Sequence, residues 1–401
     1  MINNSTLKSL AAAALFGSLG DFAAAERNTE GNSARAPEAT AANTEVPFRE
    51  IPLLEDAFID ATPAEREDGL VVGELGVDGG NKAMIVELAQ EIANGDHGNY
   101  DSLLIAHEGK LLFESYYLRG RINLAHPQAS ATKGHTSLAL GRAIQLGHLT
   151  MADLDKPLID FLDDLDRTKL VDGAERITLH KALTMHGGLS VSDEEWEALQ
   201  QTPDAIEGQH FVQALLEESG PITAESQIYR YGNFNPMLVM AVIDSVVPGT
   251  AQNFIKTEIL DKLAITNYHW QDHISGLPEA GWRVSMTSRD MLKLGDLVLN
   301  GGEWEGEQLI PEDYLAKATS GIVEPTEDWM PDSYRYGYFW YQTPLTVGDH
   351  SYNAAFAWGG GGQRIIIVED LDLTIVITGH DGEDNTIMAQ LAEHVLTAFV
   401  E

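Results

Sequence analysis

Ser102-Leu-Leu-Ile-Ala-His107, the pair Glu108-Gly109, and Lys110-Leu-Leu-Phe-Glu-Ser-Tyr-Tyr117 are two β-rich runs around a tight glycine turn, the pattern of a hairpin. A second hairpin is written near the other end of the chain. There Arg364-Ile-Ile-Ile-Val368 and Leu373-Thr-Ile-Val-Ile-Thr378 flank the turn Glu369-Asp370-Leu371-Asp372. Between them, from Ser130 to about Asn300, the periodicity is mostly helical, as in Thr136–Leu146 and Phe211–Glu218. Strands at both ends with helices between them predict an α+β fold, in which the two hairpins join in one antiparallel sheet.

The flanking segments extend this reading. Met84, Ile85, Leu88 and Ile92 recur at helical spacing within Asn81–Ala93, and Ile387, Leu391, Val395 and Leu396 do so within Thr386–Val400. The aromatic run Tyr336-Gly-Tyr-Phe-Trp-Tyr341 reads as a strand, whereas His186-Gly-Gly-Leu189 and Gly281-Trp282 read as loops.

The chain has 401 residues, 44% of them hydrophobic and 22% charged, an ordinary globular balance. Its 25 Lys+Arg against 62 Asp+Glu give a formal charge of −37. That charge excludes a generic nucleic-acid binder and disfavours adhesion to anionic membranes, while favouring solubility, also in a salty medium. Cysteine is absent, which excludes disulfides, a thiolate nucleophile, Fe–S clusters and Cys-ligated zinc. Lys8, the short apolar run Leu10–Leu19 and Ala23-Ala24-Ala25 read as a signal peptide over 1–25 with an A-x-A cleavage site, implying a periplasmic or secreted protein. Residues 26–48 read as a polar linker, and 49–401 as the folded body with a helical subdomain at about 150–300.

Absences narrow the chemistry. The chain lacks G-x-S-x-G, H-E-x-x-H and G-x-x-x-x-G-K-[ST], which counts against the common α/β-hydrolase elbow, zinc hydrolysis and a phosphate-binding loop. Ser130-Ala131-Thr132-Lys133 is present at the head of an amphipathic run. On a helix, positions three apart share a face about 5–6 Å apart, so a desolvated Lys133 can serve Ser130 as a base. The same tetrapeptide pattern at Ser5–Lys8, in the leader, shows how weak it is alone. Tyr231-Gly232-Asn233 offers a phenol for proton transfer and an amide for substrate. Trp358-Gly359-Gly360-Gly361-Gly362-Gln363 runs into a strand, where bare backbone can approach a ligand and an N–H can complete an oxyanion hole with that of Ser130.

In that order the three motifs resemble the serine β-lactamase and penicillin-binding-protein superfamily. The likeness is to its class C β-lactamase-related hydrolases, a group that includes esterases, D-aminopeptidases and 6-aminohexanoate-dimer hydrolases. It runs from about residue 95 to the end of the chain. It includes Leu183-Thr-Met-His-Gly-Gly-Leu189, Met286-Thr-Ser-Arg-Asp-Met-Leu-Lys-Leu-Gly295 and Tyr336-Gly-Tyr-Phe-Trp340. Arg289 and Asp290 read there as a buried or capping pair. The resemblance implies a β-lactamase/transpeptidase-like fold with an antiparallel sheet from the N- and C-terminal segments, flanking helices and a helical middle region.

It also implies Ser130 as nucleophile, Lys133 as base, Tyr231 in proton transfer and the N–H groups of Ser130 and Gly360 as oxyanion hole. Asn233, Trp358 and Gly359 would meet the substrate. Two departures stand out: Trp358-Gly359-Gly360 replaces the Lys-Thr-Gly of true β-lactamases, and Gly232 the usual serine. The expected activity is hydrolysis of a small-molecule ester or amide, with no metal, cofactor or nucleic acid and no integral membrane segment after leader removal. A β-lactamase or DD-peptidase is the alternative within the class, and a non-catalytic penicillin-binding-like sensor the alternative outside it. His135 and His186 read as packing or loop residues.

Overall fold

The computed structural model describes residues 35–380 and 387–400. The expected signal peptide (1–25), the linker before residue 35 and Thr386 at the head of the closing helix lie outside the described residues. Part of the expected linker rests on the body: Ile122 N donates to Pro37 O at 2.9 Å and Ala39 N to Asn123 Oδ1 at 2.6 Å.

The strands, in chain order, are β1 Phe58–Asp60, β2 Val71–Val72, β3 Tyr100–His107, β4 Lys110–Tyr116, β5 His126–Pro127, β6 Tyr268–Trp270 and β7 Val284–Met286. They continue as β8 Glu303–Trp304, β9 Glu307–Gln308, β10 Arg335–Tyr336, β11 Tyr341–Val347, β12 His350–Gly359, β13 Gln363–Val368 and β14 Leu373–Gly379. Nine of them form one sheet in the order β1-β4-β3-β14-β13-β12-β11-β10, with β2 beside β4. Glu108 (φ 48°) and Gly109 (φ 71°) both take the left-handed conformation, the type I′ geometry whose twist matches the β3–β4 hairpin. β14 pairs antiparallel with β3 from Leu373↔His107 to Ile377↔Leu103, so the two ends of the chain meet in mid-sheet as expected.

The central strands read as continuous apolar runs rather than alternating ones because both faces are covered. Leu103, Leu104, Ile105, Ile365, Ile366 and Ile367 are all buried. The helix Ser288–Leu299 packs on β13 and β14. Arg289, on that helix, holds Glu114 of β4 with two hydrogen bonds of 2.9 and 3.0 Å and reaches Asp68 at 2.8 Å. Asp290 accepts from Thr287 Oγ1 at 2.8 Å at the helix start. The two residues are structural supports, each with its own partner rather than with one another.

Two readings need correcting. The run 336–341 is not a strand: Gly337 to Trp340 is a turn between β10 and β11, closed by Gly337 N donating to Trp340 O at 2.8 Å, with Phe339 at φ 65°. Its aromatic side chains are buried by tertiary packing, which period-2 patterning cannot distinguish from a strand. Likewise, the helix Thr132–Gln145 is not amphipathic, since Thr132 to Ile144 are all buried. The helix Phe234–Val246 and strand β12 both pack on it, and several of its polar residues find internal partners, though neither ring nitrogen of His135 does. Thr136 Oγ1 donates to Ala280 O at 2.9 Å, Ser137 bonds the Tyr314 hydroxyl at 3.0 Å, and Arg142 meets Glu258 and Glu307 at 2.9 and 3.1 Å. His135 is a packing residue whose imidazole burial pushes down to about 4.

A three-stranded sheet, β5-β7-β6, sets the site. β5 precedes Ser130 and β7 follows Gly281, and they pair at His126↔Met286 and Pro127↔Ser285. Gln128 N donates to Val284 O at 2.8 Å, and Val284 N to Thr132 Oγ1 at 3.2 Å, fixing the two segments on either side of the serine.

Candidate active site

Ser130 lies in a short 3-10 turn, Ala129–Ala131, that leads directly into the helix Thr132–Gln145. Ala129 is held at φ 46°, a conformation an alanine occupies at a cost of roughly 1 kcal/mol or more. Lys133, one turn further, is buried, and its Nζ is 3.2 Å from Ser130 Oγ. The same nitrogen donates to Asn233 Oδ1 at 2.9 Å and to Gly281 O at 2.9 Å.

Tyr231 meets this lysine with its ring, Nζ standing 4.8 Å from the ring centroid. Its loop is pinned at two points: Arg230 N donates to Met185 O at 3.0 Å, and Tyr231 N to Glu327 Oε1 at 3.0 Å. Trp329, 5.5 Å from the Tyr231 ring and about half exposed, forms an outer wall. Behind it Tyr229, Tyr336 and Tyr341 are buried phenols, each pushed up by desolvation. His186 is a loop residue, its Nδ1 2.6 Å from Thr184 O.

The glycine stretch closes the other side. A Cβ on Gly359 would fall 2.1 Å from Gln128 O, so only glycine lets β12 come this close to the backbone before the serine. Gly360 has open space where its side chain would project. The stretch is clamped from beneath. Gln363 Nε2 donates to Gly379 O at 2.8 Å and to Gly360 O at 3.3 Å, its Oε1 accepts from Gly379 N at 3.1 Å, and Arg364 Nη1 reaches Gly359 O at 3.4 Å. Trp358 is buried against Trp329, Tyr334, Tyr341 and the Arg364 guanidinium, a packed wall rather than an open face.

On the far side of Tyr231 and Asn233 opens a cavity of about 760 Å³. Trp196, Phe211, Phe234 and Trp282 supply apolar walls, and Arg230, Arg283, Asp272 and Glu279 the charged ones. Glu279 is buried and its Oε1 accepts from Gly281 N at 3.1 Å. Desolvation raises its pKa above the usual carboxylate range, against the pull of that hydrogen bond, Arg283 and Lys133.

The structure thus brings Ser130, Lys133, Tyr231 and Asn233 together, with the 358–360 segment next to the serine turn. Motif reading missed Gly281, Glu279, Glu327 and Trp329. Only Gly281-Trp282 carried a signal, as a loop, and nothing in its spacing tied it to a lysine 148 residues away.

The chain belongs to the Beta-lactamase family, whose description matches residues 96–397. With that family it is a serine hydrolase of the β-lactamase and penicillin-binding-protein superfamily. Its fold is that of solved structures of low sequence identity. A class C β-lactamase from Rhodobacter sphaeroides matches with TM-score 0.58 and 17% identity, covering 80% of this chain and 100% of its own. A D-stereospecific amidohydrolase from Streptomyces sp. gives 0.57 and 16%, covering 78% and 98%. A penicillin-binding-protein homologue from Caulobacter crescentus gives 0.61 and 14%, covering 79% and 97%. No curated protein matches the sequence. Among the described residues no single helix is long and apolar enough to cross a membrane.

Proposed function

We propose that the protein hydrolyses an ester or amide bond of a small acyl compound through an acyl-enzyme on Ser130. The observation that carries this is the set of contacts around Lys133. A neutral amine has two N–H bonds and one lone pair. As the neutral amine, Lys133 would give its two N–H bonds to Asn233 Oδ1 and Gly281 O, each at 2.9 Å, and offer its lone pair to the Ser130 hydroxyl at 3.2 Å. Lys133 then removes the serine proton as Oγ attacks the substrate carbonyl.

The developing oxyanion sits on the backbone N–H groups of Ser130 and Gly360. Lys133 returns its proton to the leaving group by way of Tyr231, whose ring lies against Nζ and whose hydroxyl turns toward the leaving group once substrate is bound. Water attacks the acyl carbonyl, its proton passing to the same lysine; the acyl–Oγ bond then breaks as Lys133 gives that proton to Oγ, releasing the acid and restoring the Ser130 hydroxyl and the neutral amine. No step draws on a metal or organic cofactor.

Asn233 holds the lysine and also lines the neighbouring cavity, whose mixed apolar and polar walls suit a substrate portion that is both aromatic or aliphatic and polar. Trp358-Gly359-Gly360, with no lysine where Lys-Thr-Gly would supply a cation for a β-lactam carboxylate, favours an ester or linear amide over a β-lactam. Arg230 and Arg283, both on the cavity wall, are the observation favouring the second reading, a β-lactamase or DD-peptidase.

The deciding assay compares wild type and Ser130→Ala on p-nitrophenyl butyrate, nitrocefin, a D-alanyl p-nitroanilide and a linear 6-aminohexanoate dimer. Serine-dependent turnover of the ester or linear amide with little nitrocefin hydrolysis is expected. Fast nitrocefin turnover would favour the second reading, and wild-type rates in Ser130→Ala would overturn the site.

A further inference from the structure

We propose that Glu91, His97 and His394 bind a divalent cation of borderline softness, Zn²⁺ foremost, and so clamp the closing helix of the chain to the helix Lys82–Asn94. The first helix ends at Gly95 in the left-handed conformation (φ 85°), and the chain doubles back so that His97 Nε2 comes 2.8 Å from Glu91 Oε2. His394 arrives from the other end of the sequence, on the wide-turned stretch Leu391–Leu396, with its ring 5.5 Å from that of His97 at 69°. One ligand atom from each of the three lies within 4.8 Å of the others. Tetrahedral zinc bonds of 2.0–2.1 Å place ligand atoms about 3.3 Å apart, so modest side-chain rotations close the set.

The chemistry of the donors selects the ion. Two imidazoles and one carboxylate suit Zn²⁺, Ni²⁺ or Cu²⁺, whereas Ca²⁺ and Mg²⁺ require mainly oxygen. Three protein ligands leave a position for water. The His97 side chain is 15% exposed and that of Glu91 37%, so the ligands are sheltered yet an ion can enter. None of the three belongs to the Ser130 group or the walls of its cavity, so the site acts on stability rather than on the reaction. The wide turn at Leu391–Leu396 is a local departure of the kind that re-aims a side chain, here His394.

The bland reading is a His97–Glu91 ion pair with a second histidine nearby, and it makes a different prediction. Full-length protein stripped with EDTA and dialysed is titrated with ZnCl₂ by calorimetry and thermal unfolding, with MgCl₂ and CaCl₂ in parallel. One Zn²⁺ per chain is expected, with Tm rising by roughly 3–5 °C at a hundredfold excess over Kd and no rise with Mg²⁺ or Ca²⁺. His394→Ala and, in case that variant folds poorly, His97→Gln are each expected to weaken zinc binding at least tenfold while the metal-free Tm stays near wild type. Absence of stoichiometric zinc binding, or equal binding in both variants, would overturn the proposal.

Discussion

Lys133 Nζ donates to the carbonyl oxygen of Gly281 at 2.9 Å, while the N–H of the same glycine is held by Glu279 at 3.1 Å. One peptide segment therefore couples the proposed base to a buried carboxylate. A Cβ at Gly281 would lie 2.7 Å from Asn233 Oδ1, the other acceptor of the lysine. Gly281→Ala is expected to displace Asn233 and lower kcat about 10–100-fold, within the range general-base catalysis supplies, with a smaller change in KM. Steady-state kinetics beside a thermal melt checks this; a normal kcat would show that Asn233 does not position Lys133.

Lys133→Ala removes the base and leaves Asn233 Oδ1 and Gly281 O without their donor. Turnover is expected to fall about 10²–10⁴-fold. The variant should still be labelled, slowly, by a serine-directed phosphonate, whereas Ser130→Ala should not. Mass spectrometry of the adduct separates the two; labelling that survives Ser130→Ala would place the nucleophile elsewhere.

The Gln363 amide donates to both Gly360 O and Gly379 O. Gln363→Ala should loosen the proposed oxyanion donor and reduce kcat by roughly 10-fold or more, with KM for a small ester little changed. Gln363→Glu keeps the acceptor for Gly379 N and loses both donated bonds, so it should resemble the alanine variant in kcat. A loss confined to KM would assign Gln363 to substrate binding instead.

Glu114 and Arg289 form a buried, doubly hydrogen-bonded ion pair between β4 and the helix Ser288–Leu299. Removing Glu114 leaves the buried Arg289 with only the partly exposed Asp68 as counter-charge, at a cost of up to about 3–5 kcal/mol. Glu114→Gln should therefore lower the denaturant midpoint markedly, and Glu114→Met with Arg289→Met should recover much of the loss. Equal midpoints for wild type and Glu114→Gln would contradict this account of the sheet–helix contact.

Asp296 is buried on the same helix, and burial pushes its carboxyl up to about 7. Its folded value lies above the unfolded one near 3.9, so its stabilising protonation is fully present below about pH 4 and is lost as pH rises through 7. Asp296→Asn removes the titration. It should raise Tm above wild type on the order of 5 °C at pH 8, a gap that closes toward pH 4. Melts of the pair across that window test it, and a constant gap would assign the gain to packing.

The hairpins were legible because their information is local. Glu108-Gly109 dictates its own turn, and the isoleucine run at 365–367 has no stable place outside a covered sheet. That Ser130, Lys133, Tyr231 and Asn233 come together was legible because helical spacing and motif order survive in one dimension. Strand β12 was not, since glycine, alanine and asparagine in His350–Gly359 carry little β preference and its stability comes from β11 and β13 on either side. Glu327, Trp329 and Glu279 sit in segments with no periodicity, and their positions follow only from tertiary packing around Tyr231 and Gly281.

The β3–β14 pairing has a consequence in time. The Ser130 turn is synthesised early, but the glycine stretch and the strand that completes mid-sheet emerge hundreds of residues later. Such distant pairing closes slowly, because chain entropy is spent before the contacts form. A nascent chain therefore carries its serine long before it carries a working hydrolase, and a circular permutant joining the present ends and opening in an exposed middle loop would bring the two halves of the sheet together first.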